Sequence, residues 1–147
     1  MTLREQVEEV VDAALSAAVA DGSLPLEEVP AAALERPRDA ANGDWASTVA
    51  LRAAKAAHMK PRDVAEVVVS HLPKNDLIAS TEIAGPGFVN IRLTNAALAS
   101  VIAEARREGM DFGRGEAPAN AGRFNLEYVS ANPTGPMHVG HGRWAAL

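Results

Sequence analysis

The sequence predicts an α+β fold in which helices cover an antiparallel sheet, followed by the start of a second region of different character. Three observations carry this. Apolar residues recur at helical spacing behind a capping signal near the first residue. Two strand-like runs flank a Gly85-Pro86-Gly87 turn, and four glycines or prolines, Gly113, Gly115, Pro118 and Gly122, break the chain between 113 and 122.

The first helix follows from Thr2 and Glu5, which fit a capping box, and from Leu3, Val7, Val10, Val11, Ala14 and Ala18 behind them; Asp21-Gly22-Ser23 supplies its stop. Residues 31 to 37 suit a short strand, and the polar run from Asp39 to Asp44 a turn. Asp44 is then expected to cap a helix through about Met59, with Trp45, Val49 and Ala56 on its inner side. Lys60-Pro61 interrupts it, and Pro61 suits the first turn of another helix, whose stripe is Val64, Val67, Val68 and Leu72. His58 and His71 fall near helix ends, where capping or the helix dipole accounts for them.

Leu77 to Ala84 and Phe88 to Leu93 read as the strands of a hairpin. In the second strand Val89, Ile91 and Leu93 share one face, and Phe88, Asn90 and Arg92 the other. Thr94 can cap the following helix, with Leu93 and Leu98 as a hydrophobic staple, Val101 and Ile102 pointing inward, and Gly109 as its end. Past the break, Phe124, Leu126 and Tyr128 alternate with polar neighbours in an expected strand, a polar loop runs to Met137, and a helix starts near Val139 or Gly140.

Composition narrows the chemistry. The chain of 147 residues has 14 Lys+Arg against 19 Asp+Glu, a net charge of -5, which disfavours indiscriminate polyanion binding. Residues 1 to 35 hold one base and eight acids, or -7. Residues 1 to 113 carry 11 bases and 17 acids, or -6, whereas 114 to 147 carry 3 and 2, or +1. The absence of cysteine removes disulfides, thiolate metal sites and cysteine nucleophiles, and suits a reducing compartment. With no evident export signal and no apolar run of membrane-spanning length, the expected location is the cytoplasm.

The segment richest in chemistry runs from Glu127 to Trp144. A strand, an irregular loop and a helix amino terminus can gather side-chain donors and unpaired amides around an anion. Gly140 leaves room for a nucleotide, and His138 and His141, three residues apart, share one side of a helix. The pattern has neither the dinucleotide fingerprint nor the Walker lysine, and it offers no third ligand for a metal. Ordinary capping and packing explain the same histidines, a strand salt bridge explains Glu127, and turn capping explains Ser130 and Asn132.

Glu127-Tyr-Val-Ser-Ala-Asn-Pro-Thr-Gly-Pro-Met-His-Val-Gly-His141 resembles the strand, loop and HIGH-type signature of the arginyl-tRNA synthetase family, and Gly85 to Leu93 resembles the hairpin of that family's amino-terminal domain. The resemblance implies a tRNA-contacting domain over 1–113, a linker over 114–122, and over 123–147 the incomplete start of a Rossmann-like class I catalytic domain. It implies ATP and Mg2+ as substrate and catalytic ion, with no metal held tightly by the protein itself. Arginine and its tRNA are the implied partners, with no membrane, and the parent is expected to be a monomer. By the same resemblance His138 and His141 are catalytic and contact ATP together with Gly140, while Glu127, Ser130, Asn132 and His138 receive arginine. Phe88, Asn90 and Arg92 are candidate tRNA contacts. The family's KMSK-type loop has no counterpart here, so the 147 residues alone are expected to lack aminoacylation activity. Two alternatives stay open: a noncatalytic tRNA-binding fragment, and a nucleotidyltransferase built on the histidine-glycine-histidine site.

Overall fold

The computed structural model describes residues 1–115, 122–123, 125, 127, 129–131 and 135–146. The chain divides into two compact units, Met1–Phe112 and Gly113–Leu147. In the first, helix α1 spans Leu3–Ala20 and opens with the capping box: the Thr2 hydroxyl accepts from the Glu5 amide, and the Glu5 carboxylate accepts from the Thr2 amide at 2.7 Å. Strand β1 is Leu34–Glu35, a 3-10 turn covers Ala40–Asn42, and strand β2 is Trp45–Ser47. Helices α2 (Val49–Ala53) and α3 (Pro61–Ser70) precede strands β3 (Ile78–Ala84) and β4 (Phe88–Leu93). Helix α4, Asn95–Glu108, follows, capped by the Thr94 hydroxyl, which accepts from the Ala97 amide.

The four strands form one antiparallel sheet in the order β1-β2-β4-β3, so β4 is interior to it. Val89, Ile91 and Leu93 of β4 meet Val7, Val11 and Leu15 of α1, Val49 of α2, and Val64 and Val68 of α3 in a single core. Thirty alanines among 147 residues acquire a purpose here. Ala14 and Ala18 of α1, Ala50, Ala53, Ala54 and Ala57 around α2, and Ala65 of α3 are buried, and their small side chains let helix backbones approach closely.

Two expectations are corrected. Trp45 to Ser47 is a strand instead of the first turn of a helix, because the Asp44 carboxylate accepts from the Leu93 amide at 2.8 Å instead of capping, and the Asp44 amide donates to the Ile91 carbonyl. The helical winding that follows starts at Val49 and leaves Ala56 exposed. It ends where His58 takes a left-handed conformation, φ 53°, while Met59 donates to the Ala54 carbonyl and His58 to that of Lys55. The second correction concerns α4, whose one buried residue is Ala97; Leu98 and Ile102 are 43% and 66% exposed, so the stripe does not turn into the core.

In the second unit the described residues contain helix α5, Val139–Ala146, and no paired strand. The expected strand residues Phe124, Leu126 and Tyr128 lie outside the described residues. Among the described residues no helix is long and apolar enough to cross a membrane.

A charged latch ties the carboxyl ends of α1 and α3. The His71 Nε2 stands 2.8 Å from an Asp21 carboxylate oxygen, and its Nδ1 stands 2.7 Å from the Val67 carbonyl. Both ring nitrogens face acceptors, so the geometry suits the imidazolium. The hydrogen bond to Asp21 raises the His71 pKa above its ordinary 6.5, and the same bond, followed by those from Ser23, lowers Asp21 to about 2. A raised histidine stabilises fully below 6.5 and stops doing so as pH rises through its folded value, whereas the depressed carboxylate stabilises above 3.8 and stops as pH falls toward 2. The latch therefore contributes most between about pH 4 and 6.5. Thermal unfolding should show wild type losing more stability than His71→Gln as pH rises from about 6 to 9; parallel curves would mean that the pair is not coupled to folding.

Candidate functional site

The sequence-derived candidates fall in two places, one in each unit. On β4, Phe88 is half-buried beside the turn, and Arg92 is exposed with its guanidinium donating to the Ala41 carbonyl. Asn90 departs from expectation. It is 6% exposed, because β4 lies between neighbours that place Ala46 on one side of it and Glu82 on the other. An alternating pattern identifies a face but says nothing of how many strands shield it. The turn before β4 is held from outside: the Arg62 guanidinium donates to the Gly85 carbonyl at 3.4 Å, and a methyl group at Gly87 would stand 2.8 Å from the Pro61 carbonyl carbon and oxygen.

At the start of α5 the chain brings His138, Gly140 and His141 together. The two imidazoles stack with centroids 3.9 Å apart and planes inclined by 23°. The Gly140 amide donates to His138 Nδ1 at 3.1 Å, and the His138 amide donates to His141 Nδ1 at 3.3 Å. An Nδ1 that accepts from a backbone N–H holds a lone pair, so the ring proton sits on Nε2 in both residues. The outcome is a stacked pair of imidazoles, each with its Nε2 not used by the helix. A side chain at Gly140 would come within 2.8 Å of the His138 ring, so the ring could not keep this position beside it.

Glu127 and Ser130 are exposed, and among the described residues no hydrogen bond joins either to the histidine pair. Asn132 lies outside the described residues. No group of three or more His, Asp or Glu residues that could hold a metal ion occurs among the described residues.

One feature escapes any charge total taken over residues 1 to 113. From 45 to 62 there are four bases, Arg52, Lys55, Lys60 and Arg62, and no acid, although the amino-terminal stretch is strongly acidic. A running sum over a short window finds it.

Comparison with known proteins agrees with this architecture. Residues 5–93 match the family model of the arginyl tRNA synthetase N terminal domain. The chain is 47% identical over 98% of its length to an arginine-tRNA ligase of Thioalkalivibrio sulfidiphilus, covering 24% of that protein. It is 47% identical to those of Halorhodospira halophila and Jannaschia sp., over 99% and 100% of its length and 25% and 26% of theirs. It thus spans about a quarter of the length of the curated relatives it matches. With the match to 5–93 taking in α1 and every strand of the sheet, and identity extending over nearly all of the chain, the chain belongs to the arginyl-tRNA synthetase family.

Proposed function

We propose that the chain is part of a cytoplasmic, monomeric arginine-tRNA ligase in which residues 1–113 contact tRNA, 114–122 form a linker, and 123–147 open a Rossmann-like class I catalytic domain. The observation that carries this is that identity at 47% runs over 98% of the chain, well past residue 93 and into the segment with the histidine pair.

In this reading the Nε2–H groups of His138 and His141 donate to ATP phosphate oxygens, and Gly140 keeps the approach to the α5 amides free of a side chain. Glu127 pairs with the arginine guanidinium through charge-assisted bonds, and Ser130, Asn132 and His138 hold its other end. The arginine carboxylate then attacks the α-phosphorus, the bond from that phosphorus to the bridging oxygen breaks, and pyrophosphate departs. Negative charge builds on the phosphate oxygens as this happens, and preorganised N–H donors stabilise it more than they stabilise the ground state. Mg2+ bound to the triphosphate would neutralise part of its charge. The histidine donors suit phosphate oxygens.

On β4, Phe88 offers a partly open ring for stacking on a splayed base and Arg92 a cation for a phosphate, while Asn90, 6% exposed, supports that face from within the sheet. Alanine at Asn90 and Arg92 together should weaken tRNA binding about tenfold or more, read by filter binding; unchanged affinity would remove this face from the interface. The full-length parent should catalyse Mg2+-dependent exchange of pyrophosphate into ATP that requires arginine. Exchange with no arginine requirement would overturn the assignment.

A second reading applies to the 147 residues in isolation, and the quarter-length coverage of the relatives favours it. Here the chain binds tRNA and does not activate arginine.

A further inference from the structure

We infer that the outward side of the α2–α3 connection, residues 52 to 60, is a second RNA-contacting surface that holds the sugar-phosphate backbone of the tRNA whose bases meet β4; the inference rests on the tRNA-contacting role proposed above. Its sequence basis is the run of 18 residues from 45 to 62 with four bases and no acid, set in a chain of net charge -5.

The fold turns this run into a surface. Ala50, Ala53, Ala54 and Ala57 occupy the inner side of the winding and are buried, which sends Arg52 and Lys55 outward. The left-handed His58 then stops the winding, and Lys60 follows in extended backbone immediately before Pro61. All three cations are exposed, and among the described residues no carboxylate lies within ion-pair distance of any of them. Arg62 differs: Glu66 sits 3.7 Å away, and its guanidinium also holds the Gly85 carbonyl. The three unpaired cations are thus available to external anions.

Continuity with β4 argues for RNA in particular. The Pro61 carbonyl lies 2.8 Å from where a Cβ on Gly87 would stand, and Phe88 is the next residue. A strand whose base reaches Phe88 has a path across the hairpin turn to Lys60, Lys55 and Arg52. Cations spaced along one such path match a repeating phosphate backbone and carry no sequence information, so they position the strand while β4 reads it.

The test uses the 147-residue chain and arginine-accepting tRNA, with affinity measured across a series of KCl concentrations. Three phosphate contacts release about 0.7 to 0.9 counterions each, so Arg52→Gln/Lys55→Gln/Lys60→Gln should lower the slope of log affinity against log salt by about 2 to 3. Affinity at about 0.1 M KCl should fall on the order of 10- to 100-fold, and equally for an unrelated RNA of the same length. The circular dichroism spectrum and unfolding midpoint should match wild type, since no removed group has a partner in the fold. If wild type binds tRNA and the variant keeps its slope and affinity, this surface is refuted while the tRNA-contacting role stands. If wild type does not bind tRNA at any salt concentration, both fall. Loss of binding to phosphatidylserine vesicles with tRNA binding intact would reassign the patch to membranes and refute the RNA contact.

Discussion

Alanine in place of His141 is expected to slow arginine-dependent pyrophosphate exchange by the full-length parent about 10- to 1000-fold, which corresponds to about 1.4 to 4 kcal/mol of lost transition-state stabilisation. Two effects combine. The variant lacks the Nε2–H donor proposed to meet the phosphates, and it lacks the ring that stacks on His138 and accepts the His138 amide. The remaining donor therefore also loses part of what orients it. The loss should fall on kcat more than on the KM for arginine, because the contact strengthens as charge accumulates on phosphate. Asparagine at 141 retains an N–H donor without the stack and should recover part of the rate. An alanine variant that exchanges pyrophosphate at the wild-type rate would mean that the histidine pair only caps the helix.

The largest effect on folding is expected from Gly43→Ala. Gly43 is buried at φ 101°, in a region that side chains disfavour, and a methyl group there would stand 2.6 Å from the carbonyl oxygen of Ile91. That oxygen belongs to a completely buried residue of the interior strand β4 and accepts from the Asp44 amide at 2.9 Å. Neither backbone can retreat without breaking the bond that aligns β2. A loss of about 3 kcal/mol or more follows from backbone strain and overpacking together, measurable as a shift in the urea midpoint. Gly22→Ala is the control. Its φ is 80°, but nothing lies within 4 Å of the added carbon, so conformational strain alone should cost about 1 kcal/mol. Equal losses at the two sites would show that crowding at Ile91 contributes nothing.

What the sequence disclosed follows the range of the interactions involved. The Thr2–Glu5 box, Pro61 at a helix start, the Gly85-Pro86-Gly87 turn and the Thr94 cap are decided within a few residues, and each appears in the structure. The strand at Trp45 was hidden because its partner is Ile91 and the Asp44 carboxylate is taken by Leu93, both distant in sequence. Leu98 and Ile102 read as an inner stripe because apolar spacing shows which residues align, and the first unit leaves both exposed. At the candidate site, three-residue spacing predicted that His138 and His141 would share a side. The backbone bonds that place each ring proton on Nε2 depend on the turn at Gly140 and could not be read from spacing.

The strand order β1-β2-β4-β3 bears on how the first unit assembles. β3 and β4 are neighbours in sequence and can zip together over a tight turn, a microsecond event in isolated hairpins. Setting β2 against β4 demands closure of a far longer loop, one that encloses α2 and α3, at roughly 1 to 2 kcal/mol more in entropy. The hairpin is accordingly suited to be an early template, and the seam between Trp45 and Ile91 the late, rate-limiting join.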